Sequence, residues 1–262
     1  ETLAEAHTSA AYISTHYYRN WRKAETEYER AIHLNPEYLQ AYFWLASLLV
    51  RTGRFDEAIL QIKKAQKLDP LSLPLNRALA KILYLARRYD EAIKICNGII
   101  EIDPHFGPAN GILGMIYRDK EMYKEALVEI NKLIEFSISE YHLPELNNEE
   151  KDPEQNRLVF STSDPEAIAL AGQVYALSGN RSEAVKLLTW LEELAARRYV
   201  EPHAFALIYA GLGENDKAFA FLEKSYDDSS AILTYFKVWS FLDPIRSDPR
   251  FNNLLQRIGF FS

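Results

Sequence analysis

Alanine returns every 34 residues along this chain, at Ala24, Ala58, Ala92 and Ala126, and after one longer interval at Ala184 and Ala218. Proline keeps the same beat at Pro36, Pro70 and Pro104, inside the phrases NPEY, DPLS and DPHF. Each alanine sits in a similar local text: WRKAETEYERA, FDEAILQIKKA, YDEAIKICNGI, YKEALVEINKL, RSEAVKLLTWL and NDKAFAFLEKS. A period this regular means six copies of one supersecondary unit. Such a unit cannot bury its apolar face alone and must stack on its neighbours.

Within each unit, apolar residues recur at i, i+3, i+4 and i+7 on both sides of a short turn, so each copy reads as two helices. The turns are RTGRFD, LARRYD, DKEMYK, LSGNRS and GLGEND. Asp-Pro or Asn-Pro pairs close the first three units, where proline suits the end of one helix and the first turn of the next. With position 1 at Glu5, Leu39, Leu73, Gly107, Pro165 and Tyr199, position 20 is always alanine. Position 8 is mostly alanine or glycine (Ala46, Ala80, Gly114, Gly172, Ala206). Small side chains there let the two helices approach closely.

These features resemble the tetratricopeptide repeat, whose pattern is W-x2-L-G-x2-Y, then A-x3-F, then P. The clearest copies are Asn110-x2-Leu113-Gly114-x2-Tyr117 and Ile168-x2-Ala171-Gly172-x2-Tyr175. Ala24-x3-Tyr28 and Ala218-x3-Leu222 carry the second-helix half, and the first position is never tryptophan. The resemblance implies an all-α, right-handed superhelical solenoid of about six helix pairs with a C-terminal capping helix. Residues 1–136 then hold four units and 165–232 two more. Between them, 137–164 reads as an acidic insertion or irregular loop, with seven acids against two bases in Ser137 to Asp164. Residues 233–262 form the cap, with an amphipathic run from Phe251 to Ile258.

A second resemblance is local. LARRYVEPHAFALIYAGLGENDKAFAFLEKSY with LDPIRSDPRFNNLLQRIGF looks like the C-terminal repeat region of bacterial multidomain regulators. In those proteins the repeats follow a winged-helix, kinase or cyclase domain. That resemblance implies a sensor, regulatory or self-association module separated from its output domain, and a chain starting at Glu1 fits a processed form or fragment.

Composition removes several classes. The net charge of −7 disfavours nucleic acid, because the one basic stretch, ten bases against five acids from Arg51 to Lys94, is not gathered on a single face. No run approaches the roughly 18 apolar residues of a membrane span. Cys96 alone makes neither an intramolecular disulfide nor a multi-cysteine metal site; it reads as core and leaves the redox compartment open. Six histidines lack ligand spacing, and no phosphate loop or nucleophile elbow occurs, so no catalytic residue, metal or cofactor is expected. Acids in the DEA and DKA phrases sit in the first turns of second helices, where the helix dipole favours them. Trp21, Phe55, Tyr89 and Tyr123, all at position 17, read as rings wedged at the turns.

In the repeat family the first helix of each unit lines a groove. Carried over, the groove positions include Phe43, Trp44, Ser47 and Arg51; Arg77, Lys81 and Tyr84; Met115, Arg118 and Asp119; and Gln173, His203 and Leu207. The binding set expected from these is Phe43, Trp44, Ser47, Arg77, Lys81, Tyr84 and Arg118. Arg77 and Lys81 are four apart on one helical face beside aromatics. Two cations beside rings suit a protein or peptide segment, acidic or carboxylate-bearing, held by charge-assisted bonds and apolar pockets. The clamp by which chaperone-binding relatives hold a terminal carboxylate is absent in its register, which reads Ser9, Ile13, Trp44, Pro74 and Ala78. An uncapped N-terminal end face also suggests a homodimer through that end.

Overall fold

The computed structural model describes residues 3–140 and 164–260. The acidic stretch expected as an insertion at 137–164 lies outside the described residues apart from its two ends. Among the described residues there are no strands. Eight helices precede the break: α1 (Ala4–His16), α2 (Trp21–Leu34), α3 (Leu39–Arg51), α4 (Phe55–Leu68), α5 (Leu73–Leu85), α6 (Tyr89–Ile102), α7 (Gly107–Asp119) and α8 (Tyr123–Glu140). After it come α9 (Pro165–Leu177), α10 (Arg181–Ala195), α11 (Pro202–Gly211) and α12 (Asn215–Asp227). Two 3-10 turns, Ala231–Tyr235 and Ser240–Ile245, lead to α13 (Pro249–Ile258).

The helix boundaries have local causes. Proline stands in the first turn of α5, α7, α9 and α11, where its missing N–H costs nothing. Asn20 and Asn180 cap α2 and α10 by accepting from the backbone N–H groups of Lys23 and Glu183. The turn inside each pair is closed by one device. Arg19, Gly53, Arg87, Glu121, Gly179 and Gly213, all at the same repeat position, adopt left-handed backbone with φ between 50° and 83°. In all but the first pair two bonds tie the turn. At Gly53, for example, the Gly53 N–H donates to Val50 O and the Arg54 N–H to Leu49 O, which satisfies carbonyls the helix end would leave open.

The periodic alanines sit where the helices touch: Ala24, Ala58, Ala92, Ala126, Ala184 and Ala218 are fully buried. Position 8 is equally tight. A Cβ added at Gly114 would lie 2.8 Å from Ile130 Cγ1, and one at Gly172 would lie 2.4 Å from Ile208 Cδ1. First and second helices pack pairwise (α1 on α2, α3 on α4, α7 on α8, α9 on α10, α11 on α12), and first helices also neighbour each other: α1 with α3, α3 with α5, α9 with α11.

The chain divides into two compact units. The first comprises Glu1–Ile99, Ala231–Trp239 and Asn253–Ser262; the second comprises Ile100–Ser230 and Ser240–Asn252. The core of the first unit is built from Leu45, Leu49, Ile62, Leu79 and Leu83, with Leu233, Phe236, Leu254 and Ile258 from its late segments. Cys96 is buried as expected, and burial pushes its thiol up to about 12. Trp21, at the first residue of α2, stacks on Phe260 with ring centroids 5.9 Å apart. Along the second helices of this unit, Arg54 bridges Glu25 and Glu57, and Arg88 bridges Asp56 and Glu91. These largely exposed ladders use the first-turn acids Asp56, Glu57 and Glu91 together with Glu25, and add little stability. The second unit buries Ile112, Ile116, Ile130, Ile168, Leu191 and Phe205, with Phe241, Leu242, Ile245 and Phe251 from its late segment.

Candidate functional site

The face shared by α1, α3 and α5 gathers most of the expected binding residues. Positions 5 and 9 of consecutive units, Phe43 with Ser47 and Arg77 with Lys81, line one pocket of about 100 Å³ together with Val50, Pro74, Ala78, Ile82 and Tyr235. None of its lining residues is acidic. Trp44 faces a neighbouring shallow depression with Thr8, Tyr12, Ile13, Tyr38 and Gln40. The rings form a continuous run across the two depressions: Phe43 meets Trp44 edge-on at 5.2 Å, Trp44 meets Tyr12 at 5.0 Å, and Tyr12 stacks on His16 at 4.0 Å.

Tyr235 completes the pocket from a segment outside the repeats. Its hydroxyl shares a 2.9 Å hydrogen bond with Ser47 Oγ. Its ring receives two cations, Arg51 with Cζ 4.7 Å from the centroid and Lys81 with Nζ at 5.5 Å. Burial alone would raise the Tyr235 phenol, but the charges of Arg51 and Lys81 and the Ser47 bond outweigh it, and the net direction is downward. The phenol thus senses a positive local field.

The cations differ in their surroundings. Arg77 is exposed at its surface, yet crowding by neighbouring atoms holds its guanidinium below the ordinary arginine value, with Tyr235 acting in the opposite sense. Among the described residues neither Arg77 nor Lys81 has a carboxylate partner. Arg51, at the end of α3, is only 4% exposed, and its Nε and Nη1 groups find no acceptor. Its Nη2 donates to His16 Nε2 at 3.1 Å, while His16 Nδ1 lies 3.0 Å from Tyr12 O. That pairing assigns the imidazole proton to Nδ1. Burial and the adjacent Arg51 charge lower the His16 pKa, against the Tyr12 bond, which keeps the ring neutral at pH 7.

Two expected members of the set are placed otherwise. Tyr84, at position 12 of its unit, is 1% exposed and packs near the Tyr89 ring inside the first unit. Arg118, at position 12 of the fourth repeat, is 3% exposed in the second unit. There it forms an ion pair with Asp119, donates to Gln173 Oε1 at 2.5 Å and Ser240 Oγ at 2.6 Å, and lies over the Phe241 ring at 3.8 Å. Gln173 also donates to the carbonyls of Leu207 and Phe241. Both side chains are closed to a ligand: Tyr84 is buried beside the Tyr89 ring of its own repeat, and Arg118 is covered by Ser240 and Phe241 from a segment that the repeat register does not report.

His203, another groove position, is 2% exposed; its Nε2 lies 2.5 Å from Glu166 Oε1 and its Nδ1 3.8 Å from Glu201 Oε2. Burial lowers its pKa, but the two carboxylates more than reverse this and hold it at about 9. Ser230 Oγ donates to Glu201 in turn, making a structural knot. Among the described residues no cluster of three metal-ligating side chains occurs, and no helix is long and apolar enough to cross a membrane. Tyr235 is the principal residue that sequence reasoning missed, because it lies where the repeat register stops.

A family model for the tetratricopeptide repeat matches residues 18–72. A search of curated proteins finds no match. Among solved structures, the chain is similar to PilW, a widely conserved type IV pilus biogenesis factor, at 14% identity and TM-score 0.58, covering 93% of this chain and 98% of that one. It is also similar to PilF of Pseudomonas aeruginosa at 14% identity and TM-score 0.53, covering 89% and 95%. The Cut9–Hcn1 hetero-tetramer gives 14% identity and TM-score 0.59, with 98% of this chain matched to 43% of that one. At these identities the likeness establishes the fold, that of tetratricopeptide-repeat proteins.

Proposed function

We propose that the chain is a non-catalytic interaction scaffold that binds an extended protein segment across the face of α1, α3 and α5, with an acidic or carboxylate-bearing group directed to Arg77 and Lys81. A repeat scaffold is the coarse reading that the fold supports, since stacked helix pairs present side chains along a continuous face. The observation that carries the finer reading is the pocket itself: two cations without carboxylate partners, beside the half-buried rings of Phe43 and Trp44, with no acid in the lining. Phe43 and Trp44 supply apolar area, and the cations supply charge-assisted hydrogen bonds to an acidic group.

Fluorescence anisotropy with pools of acidic and basic peptides tests this reading. The intact chain should prefer the acidic pool. The Arg77→Ala/Lys81→Ala double variant should weaken that binding by about tenfold or more, as loss of charge-assisted bonds implies. Unchanged affinity in the double variant would remove the site from this face.

A further inference from the structure

The charge balance of the pocket specifies the acidic group more narrowly. Arg77 and Lys81 line it, and Arg51 adds a third positive charge behind the Tyr235 ring. Arg51 is closed to direct contact, so it contributes field, and among the described residues no carboxylate pairs with it. Five acids on the second helices of the same unit are engaged by other groups: Glu25 and Glu57 by Arg54, Asp56 and Glu91 by Arg88, and Glu27 by His7.

The donors point the same way. A guanidinium and an ammonium carry up to eight N–H groups between them. The Ser47 and Tyr235 hydroxyls share one bond, so one of their two protons is left to donate outward. A carboxylate brings one negative charge and two oxygens. A phosphoryl monoester brings about −1.5 to −2 and three acceptor oxygens, which matches both counts better. The walls around these donors, Phe43, Pro74 and Ile82, are apolar and suit the carbon stem that carries such a group.

We propose that the pocket formed by Ser47, Arg77, Lys81 and Tyr235 is a phosphoryl seat that takes a phosphorylated side chain of the segment bound on this face. This rests on the peptide-binding reading above and narrows it. Lys81 and Arg77 neutralise and hold the phosphoryl oxygens, the free hydroxyl proton orients one of them, and Arg51 holds the phenol in place while raising the local potential.

Three labelled peptide pools with one fixed central residue, phosphoserine, glutamate or serine, measured against the intact chain, separate the two ideas. The expected result is binding of the phosphoserine pool about tenfold tighter than either other pool, since roughly one further charge is paired. Arg77→Gln/Lys81→Gln should abolish that preference, and Tyr235→Phe, which keeps the ring beneath the cations, should reduce it. Far-UV melting establishes that both variants fold. Equal binding of the glutamate and phosphoserine pools would overturn the phosphoryl seat and leave the acidic-segment reading standing. A preference that survives Arg77→Gln/Lys81→Gln would also overturn the seat. No binding of any pool would overturn both. Calorimetric binding of inorganic phosphate without any phosphopeptide would replace the segment by a small free anion, and that too counts against the proposal.

Discussion

The same repeat positions are open in one unit of the molecule and, Met115 apart, filled in the other. In the first unit, positions 5 and 9 carry Phe43, Ser47, Arg77 and Lys81, half-buried or exposed around a pocket. In the second, positions 5 and 9 carry Gly111, Ala169, Gln173, His203 and Leu207, all buried, and Met115, which is half-buried. Each unit also holds a buried arginine over an aromatic ring from a late segment: Arg51 over Tyr235, and Arg118 over Phe241. The two differ in satisfaction. Arg118 has Asp119, Gln173 and Ser240; Arg51 has His16 for one group and nothing for two others. A complete polar network makes a first-helix face into core, whereas an incomplete one leaves a charged surface with unused capacity.

The largest effect that follows is on Arg118. Arg118→Ala takes the guanidinium away from the Asp119 carboxylate, whose side chain is 5% exposed, and from the Gln173 and Ser240 acceptors. The second unit should lose about 3–5 kcal/mol, read as a lower denaturation midpoint. A loss below about 1 kcal/mol would mean that the network is not what closes this face.

Next in size is a pH effect that separates the units. The folded-state pKa of His203 is raised to about 9 from an ordinary 6.5, so its contribution is fully present below pH 6.5 and is lost as pH rises through 9. Its ceiling is about 3 kcal/mol. His16 is shifted down, so its contribution is present above pH 6.5 and fades as pH falls below that value. Hydrogen exchange resolved by peptide should therefore show α11 loosening between pH 7 and 9 and α1 loosening toward pH 5. His203→Gln should flatten the first response and leave the second.

Arg51→Met sharpens the contrast with Arg118. Because two of its N–H groups already lack partners, exchanging it for an apolar chain of similar length should change stability by no more than about 1 kcal/mol in either direction. The smallest effect concerns backbone. Arg87 and Glu121 occupy left-handed turn positions that Gly53, Gly179 and Gly213 fill elsewhere. Arg87→Gly should raise the melting midpoint slightly, by up to about 1 kcal/mol in stability, provided the relieved strain exceeds the entropy glycine adds to the unfolded chain.

The fold was legible because the alanine period reports a steric demand repeated six times: Ala24 and its five counterparts are all fully buried where helices pack. The pairing of Phe43 and Ser47 with Arg77 and Lys81 was legible for the same reason, since equal register places them on adjacent first helices. Tyr84 and Arg118 were misjudged together, both at position 12. That position lies in the last turn of a first helix: over Arg118 lies Ser240–Ile245, a segment without a register, whereas Tyr84 is closed beside the Tyr89 ring of its own repeat. Tyr235 escaped detection by the same logic: no periodic signal connects it to Ser47, 188 residues earlier.

The membership of Ala231–Trp239 and Asn253–Ser262 in the first unit bears on how the site comes into being during synthesis. Helices α1 to α5 leave the ribosome first and can pair locally, yet the wall that Tyr235 supplies arrives only 188 residues after Ser47. A nascent or prematurely terminated product therefore exposes the cations of α3 and α5 without their pocket. On the proposed reading, a partner that engages this face would in effect be selecting chains whose translation has run past Tyr235.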